Sequence, residues 1–269
     1  MPTLPPEPTP DALRQVAQSF GTDAARYDRT RPPYPAELVA HIVAASPGPA
    51  VVDVGCGTGI ASRQLRDAGC TVLGVDPDPR MAETARAGGI PVEVATFEQW
   101  EPAGRVFDAV VAGQAWHWVD AEAGAAKAAR VLRPGGLFAA FWHVFQPPPV
   151  VGEAFATAFR QVAPTAPVDV SLLRRPADAY RMMLDTAAAG LQAAGGFSAP
   201  ERWSYGWELP YTRDEWLALL PTQGLLTRLA PEQVARLQAD VGAAIDTIGG
   251  GFTMAYETVA ITAKRQADA

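Results

Sequence analysis

VVDVGCGTG, Val51 to Gly59, is a run of β-branched apolar residues that ends in glycines at alternate positions. A short apolar run closed by glycine reads as a buried strand entering a turn. Glycines at 55, 57 and 59 tolerate positive φ and let a ligand approach the backbone with no Cβ in the way. The helix that follows opens with N–H groups that have no partner inside the helix and suit an anionic or polar ligand group. A plain strand-to-helix turn would look the same, so the next strand matters. Asp76 ends that strand 21 residues after Gly55, near the spacing of about 20 at which an acid meets a ribose hydroxyl. Together, the turn and the acid specify a nucleoside-bearing ligand.

Working outward, short β-branched runs alternate with helical stretches from Ala50 onward, the pattern of a parallel sheet with crossover helices. Strands are predicted at Val51–Val54, Thr71–Val75, Pro91–Ala95, Val106–Ala112 and Leu137–His143, with LRPGG (Leu132–Gly136) ending a helix in a tight turn. Upstream, Asp11–Arg26 and Ala36–Ala45 read as helices, and Tyr27–Pro35 as extended because of its prolines. Pro147–Pro149 mark a seam before an alanine-rich helical stretch that runs to about Gly196. Two further strands, Glu201–Tyr211 and Phe252–Lys264, flank helices at Arg213–Leu220 and Pro231–Ile248 and are expected to close the sheet as an antiparallel pair. The expected fold is α/β: a Rossmann-like, mostly parallel seven-stranded sheet with an antiparallel C-terminal pair and a helical insert over the cleft. Its expected divisions are a disordered leader at 1–10, a core with entry helices at 11–145, an insert at 146–200, and a C-terminal part at 201–269 that completes the sheet. No internal repeat is visible.

Composition narrows the classes. With 48% apolar and 19% charged residues the chain is globular. A net charge of −7 would repel a phosphate backbone, so nucleic acid is not the expected partner. Cys56 and Cys70 have no disulfide or zinc-ligand spacing, so no metal is expected, and a reducing cytoplasm is. MPTLPPEPTP (Met1–Pro10) has neither the charge nor the apolar stretch of a secretory signal, and no 18-residue apolar run suggests a membrane span. Whether the chain forms a homodimer is left open.

The kind of nucleoside can be read from one position. A dinucleotide prefers G-x-G-x-x-G, which would put glycine at 60, where this chain has Ile60. D-x-G-x-G-x-G from Asp53 instead resembles the first motif of class I S-adenosylmethionine-dependent methyltransferases. The resemblance continues through VDPDPRMAETAR (Val75–Arg86), FDAVVAGQAWHWVD (Phe107–Asp120) and VLRPGGLFAAFW (Val131–Trp142). FGTDAARYDRTRPPYP (Phe20–Pro35) is similar to the entry segment of the branch of UbiE-like and trans-aconitate methyltransferase-like enzymes.

The resemblance implies S-adenosylmethionine as cofactor and S-adenosylhomocysteine as product. It implies that Asp53, Gly55, Cys56, Gly57 and Gly59 surround the methionine part, that Asp76 takes the ribose hydroxyls, that Pro77 shapes the adjoining turn and that Met81 packs on adenine. After the third strand, where many relatives carry an acid for the adenine amino group, this chain offers Thr96 and Phe97. Gln114 would face the cofactor from the tip of the fourth strand. Tyr27 and Arg31 would reach over the methionine carboxylate, or else simply pack on their helix or face solvent. The expected reaction is methyl transfer to a small molecule, at oxygen or carbon rather than nitrogen. A nicotinamide-dependent dehydrogenase and a non-catalytic cofactor-binding protein are the alternatives.

A methyl on sulfonium is already activated, so the protein must position the acceptor, exclude water and, for a neutral acceptor, remove a proton. Histidine is the natural candidate base. His117, in AWHWV past the fourth strand, is the first candidate, with a structural or substrate-orienting role as the other reading. His143, at the end of the fifth strand, is the second, or else a strand-end residue bonded to backbone. His41 lies in an apolar helix and reads as a packed core residue. Trp116, Trp118 and Tyr34 are as readily core as pocket wall.

Overall fold

The structure is a computed structural model that describes residues 19–164, 166 and 176–267, with only the backbone of 176–179. The Met1–Pro10 leader, most of the helix expected from Asp11, and part of the alanine-rich stretch lie outside the described residues. The elements are α1 (Ala24–Thr30), α2 (Ala36–Ala45), β1 (Ala50–Val54), α3 (Ile60–Asp67), β2 (Thr71–Asp76), α4 (Pro79–Ala87), β3 (Val92–Val94), β4 (Phe107–Gly113), α5 (Ala121–Val131), β5 (Leu132–Gln146), α6 (Pro149–Val162), α7 (Pro176–Ala194), β6 (Glu201–Thr212), α8 (Arg213–Leu219), α9 (Pro231–Asp246) and β7 (Gly251–Lys264). Short 3₁₀ turns sit at Phe20–Asp23, Trp116–Trp118 and Leu220–Thr222.

The seven strands run in the order β3-β2-β1-β4-β5-β7-β6, parallel from β3 to β5 with an antiparallel C-terminal pair, as the sequence led us to expect. Contacts divide the chain into two units. The first comprises Pro32–Val144, Tyr180–Trp207 and the residues from Glu257 on. The second comprises the residues up to Arg31, Phe145–Ala179 and Glu208–Tyr256.

In the first unit, alternate residues of each central strand feed opposite faces of the sheet. Val52, Val110, Phe138, Ala140 and Trp142 join Ala125, Ala128 and Val131 of α5 and Leu184, Ala187 and Leu191 of α7 in one core layer. Val51, Ala109, Val111, Ala139 and Phe141 join Leu38, Val39 and Ile42 of α2 and Ala61 and Leu65 of α3 in the other. β1 is an interior strand, paired on one side with β2 and on the other with β4 (Val51↔Val72, Val51↔Ala109), so it has no open edge. In the second unit, α6 and α9 bury Phe159 and Val162, and Leu237, Val241 and Ile245, respectively.

Three sequence expectations need correction. Tyr27–Thr30 is helical, not extended, and the chain straightens only at Arg31 (φ −70°, ψ 138°). A proline constrains itself and its immediate predecessor, so Pro32 acts on Arg31 and no further back. LRPGG is not a turn ahead of the strand. β5 already begins at Leu132, and the pairing jumps from Phe107↔Leu132 to Ala109↔Leu137, so the surplus residues form a bulge. Arg265 holds the bulge by accepting from Gly135 N at 2.7 Å and donating to Gly136 O at 2.8 Å. His41 is exposed, because α2 turns Leu38, Val39 and Ile42 inward; its ring stacks on Trp203 at 3.7 Å and meets Tyr205 Oη at 2.7 Å.

Candidate functional site

The C-terminal ends of β1, β2 and β4 carry the glycine turn, two buried aspartates and a cluster of histidine and tryptophan. The turn takes the shape its composition predicts: φ is +62° at Gly55, +56° at Gly57 and +85° at Gly59, the residue from which α3 starts. Gly55 is fixed twice over, since a Cβ there would lie 2.5 Å from Ala115 Cβ in addition to the positive φ. At Gly57 a Cβ would meet only Met81 Cε, at 3.7 Å, so the backbone there is open to approach.

Asp76 draws this turn to the tip of β2. Its Oδ2 accepts from Gly57 N and its Oδ1 from Asp78 N, both at 2.8 Å, and the residue is only 7% exposed. Each oxygen retains a second lone pair, so the carboxylate can still accept from hydroxyl groups. Burial pushes its pKa up to about 6, against the two backbone N–H donors and with help from Asp78. Asp53, at 1% exposure, accepts from Ser62 Oγ at 2.5 Å; burial outweighs that bond and, with Asp76 nearby, lifts its pKa to about 7. Burial would raise Asp78 too, but the Arg80 guanidinium, 2.7 Å from its Oδ2, holds it below the ordinary carboxylate range.

Cys56 is buried beside this pair, and burial, Asp53 and Asp76 all push its thiol up, so it is an inert packed residue rather than a nucleophile. Its Sγ fills the place a Cβ on Gly74 would need, 2.5 Å away. Met81 is buried, whereas Pro77 is exposed in the turn after β2. Thr58 Oγ1 is buried without a hydrogen-bond partner among the described residues, which leaves a polar atom at the turn unsatisfied.

Thr96 and Phe97 open the turn after β3. The Thr96 carbonyl accepts from Trp100 N at 2.9 Å, and the Phe97 ring is core, 6.0 Å from both Trp100 and Trp116. Buried Lys127 of α5 braces the turn by donating to the carbonyls of Glu98 and Trp100.

Past β4, Gln114 has φ +56°, a conformation uncommon outside glycine, and its N–H donates to Phe141 O at 2.8 Å. His117 follows, half-buried, its Nδ1 accepting from Trp142 Nε1 at 3.1 Å; burial pulls its pKa down to about 4. His143 is 3% exposed, with Nδ1 2.9 Å from Thr258 Oγ1 and its ring stacked on Tyr34 at 4.6 Å. Tyr34 is clamped at its backbone by Gln64, which accepts from its N–H at 2.8 Å and donates to its carbonyl at 2.7 Å. Its Oη lies where a Cβ on Gly113 would stand, so that glycine is obligatory.

The structure thus brings Asp53, Gly55, Cys56, Gly57, Gly59, Asp76 and Met81 together. Tyr27 and Arg31 belong to the second unit, where the guanidinium lies 4.7 Å from the Tyr27 ring centroid and donates to Thr222 O. Sequence reasoning missed Ser62, Gln64, Gly74 and Trp142. Only Gly74 carried a signal, a glycine inside a strand marking close approach by a neighbour. No helix among the described residues is long and apolar enough to cross a membrane, and no group of His, Cys, Asp or Glu among them suits a metal.

Residues 52–140 match the family described as methyltransferase domain. The chain is 39% identical over 133 residues to an uncharacterised methyltransferase of Mycobacterium tuberculosis (strain ATCC 25618 / H37Rv), which is 48% of this chain and 54% of that protein. It is 36% identical over 130 residues to a ubiquinone biosynthesis O-methyltransferase of Methylobacterium nodulans, which is 46% of each. The chain spans about half the length of the curated relatives it matches. Among solved structures it is similar to one from Anaeromyxobacter dehalogenans assigned as a type II methyltransferase (TM-score 0.64, 23% identity, 88% of this chain and 99% of that one). It is also similar to phosphoethanolamine N-methyltransferase 2 of Haemonchus contortus, solved with phosphomonomethylethanolamine and S-adenosylhomocysteine (TM-score 0.53, 15% identity, 96% and 60%). At these identities the likeness is one of fold.

Proposed function

We propose that the whole protein, whose residues 52–140 match the methyltransferase domain family, transfers the methyl group of S-adenosylmethionine to a small-molecule acceptor, at oxygen or carbon, and releases S-adenosylhomocysteine. One observation carries the reading: Asp76, the acid that closes β2, turns its carboxylate onto the N–H of Gly57 in the glycine turn. Sugar-binding acid and ligand-cradling turn are thereby a single unit.

The residues present fit the cofactor. The backbone open at Gly57, the unsatisfied Thr58 hydroxyl and the spare lone pairs of Asp76 suit a polar nucleoside. Asp76, ionised above about pH 6, adds negative charge where a cationic ligand needs it. When bound, the cofactor supplies an activated methyl group. The chain's own part is to hold and exclude: Gly55, Cys56, Gly57 and Gly59 shape the seat for the methionine part, with Asp53 anchoring its floor through Ser62. Asp76 takes the ribose hydroxyls, with Pro77 shaping the turn beside it, and Met81 packs against adenine. Thr96 and Phe97 present backbone to the adenine edge, and Gln114 is held by its unusual φ at the tip of β4. In-line positioning of this kind supplies much of the acceleration for a donor that needs no further activation.

Thermal melts with S-adenosylhomocysteine, S-adenosylmethionine and NAD test the reading, since only a ligand of the folded state raises its stability. At 100 times Kd the first two should add about 2.7 kcal/mol. Protection by NAD alone would refute it.

A further inference from the structure

His117 and Trp142 face each other across 25 residues of sequence, and the pair fixes where the imidazole proton sits. Trp142 is fully buried, and an indole nitrogen can only donate. Its Nε1 lies 3.1 Å from His117 Nδ1, so Nδ1 must present a lone pair. A proton on Nδ1, in the other neutral tautomer or in imidazolium, would set two N–H groups head to head. Flipping the ring would put a C–H against the indole and strand a buried donor, at a cost of about 1–3 kcal/mol. The neutral ring therefore carries its proton on Nε2, on the edge away from Trp142. That side chain is half-buried and sits just past β4, at the end of the sheet where open α/β folds bind ligands.

We propose that His117 is a fixed hydrogen-bond donor, through Nε2–H, to an oxygen of the methyl acceptor, and not the base that deprotonates it. A base must offer a lone pair to the substrate, and the single lone pair on this ring is turned inward. The acceptor class follows: a molecule whose oxygen lone pair meets Nε2–H and which arrives as an anion, a phenolate, carboxylate or enolate, so that no proton need pass to this histidine. The lowered proton affinity of the ring agrees with this assignment. Trp142 is a positioning residue that acts through the histidine.

The role toward an acceptor rests on the methyl-transfer reading, whereas the proton position does not, and the test separates them. Long-range ¹H–¹⁵N correlation on the full chain labelled with ¹⁵N-histidine, at pH 7.5, should show His117 with a protonated Nε2 and a bare Nδ1. Trp142→Phe should move it toward a mixture of tautomers while the His41 and His143 signals stay put. A protonated Nδ1 in the wild type, or a tautomer indifferent to Trp142→Phe, overturns the proposal. In a second arm, formation of S-adenosylhomocysteine from S-adenosylmethionine is followed with panels of phenols, carboxylic acids and primary amines. Turnover of oxygen-bearing acceptors that falls at least tenfold in His117→Phe and is partly kept in His117→Gln, whose amide can donate from nearly the same place, supports the role. Turnover confined to amines overturns it, and turnover with no acceptor and no cofactor binding defeats the methyl-transfer reading itself.

Discussion

The aspartate side and the histidine side of the site are built by opposite means. Around Asp53 and Asp76 the backbone does the positioning: Gly57 N and Asp78 N hold one carboxylate, and Ser62, on the helix the turn leads into, holds the other. Around His117 and His143 side chains position one another, through Trp142 at 25 residues' separation and Thr258 at 115. The same burial acts on both and pushes them apart, lifting the acids to about 6 and about 7 and lowering His117 to about 4. Desolvation disfavours whichever form is charged, so one side holds protons longer than usual and the other gives them up early.

The sharpest way to break this contrast is Gly55→Ala. If the turn is as rigid as its backbone geometry demands, the new Cβ, 2.5 Å from Ala115 Cβ at φ +62°, should cost about 2–4 kcal/mol in urea unfolding. A loss under about 1 kcal/mol would mean that the turn yields. Next comes Asp76→Ala. On the proposed reading, in which Asp76 accepts from the ribose hydroxyls, it should weaken S-adenosylhomocysteine binding by about 10- to 100-fold in calorimetry, with the far-ultraviolet spectrum unchanged.

Proton linkage then sets the two sides against each other. Asp53 and Asp76 titrate above the ordinary 3.8, so between about pH 4 and 7 the folded state holds protons that the unfolded chain has lost, and their contribution to stability falls as pH rises. His117 titrates below 6.5, so from about pH 4 to 6.5 the unfolded chain holds the extra proton and its contribution rises. Unfolding free energies across this window should therefore fall more steeply with rising pH in His117→Gln than in wild type, and less steeply in Asp53→Asn. In the same window, cofactor affinity should be lost as pH drops through about 6 and Asp76 takes its proton. The smallest effect belongs to a control away from both sides. Arg202→Ala, which removes an exposed ion pair with Asp185, should change stability by less than about 0.5 kcal/mol.

Legibility from sequence follows the same division. The glycine turn, Asp76 and the strands that carry them were readable because each depends on residues a few places apart. The φ of a glycine, the spacing of β-branched residues and the reach of a proline are local matters, and the error at Tyr27–Thr30 came from giving Pro32 more reach than sterics allows. The place of His117 just past β4 was readable, but its partner was not, since nothing near it in sequence names Trp142. Likewise, His41 lies in an apolar helix yet points outward, because which arc of α2 is buried depends on what the sheet offers it.

By itself the amino-acid order determined the alternation of strands and helices, the positive-φ turn at 55–59 and the acid at the tip of β2, and hence the class of ligand to test first. Only the tertiary structure decided which face each core residue serves, how the LRPGG surplus is absorbed as a bulge, and that Trp142 and Thr258 set the histidine side. The reason is range: backbone sterics act over a few residues, whereas a hydrogen bond between distant side chains exists only once strand register and helix packing have placed both partners within about 3 Å.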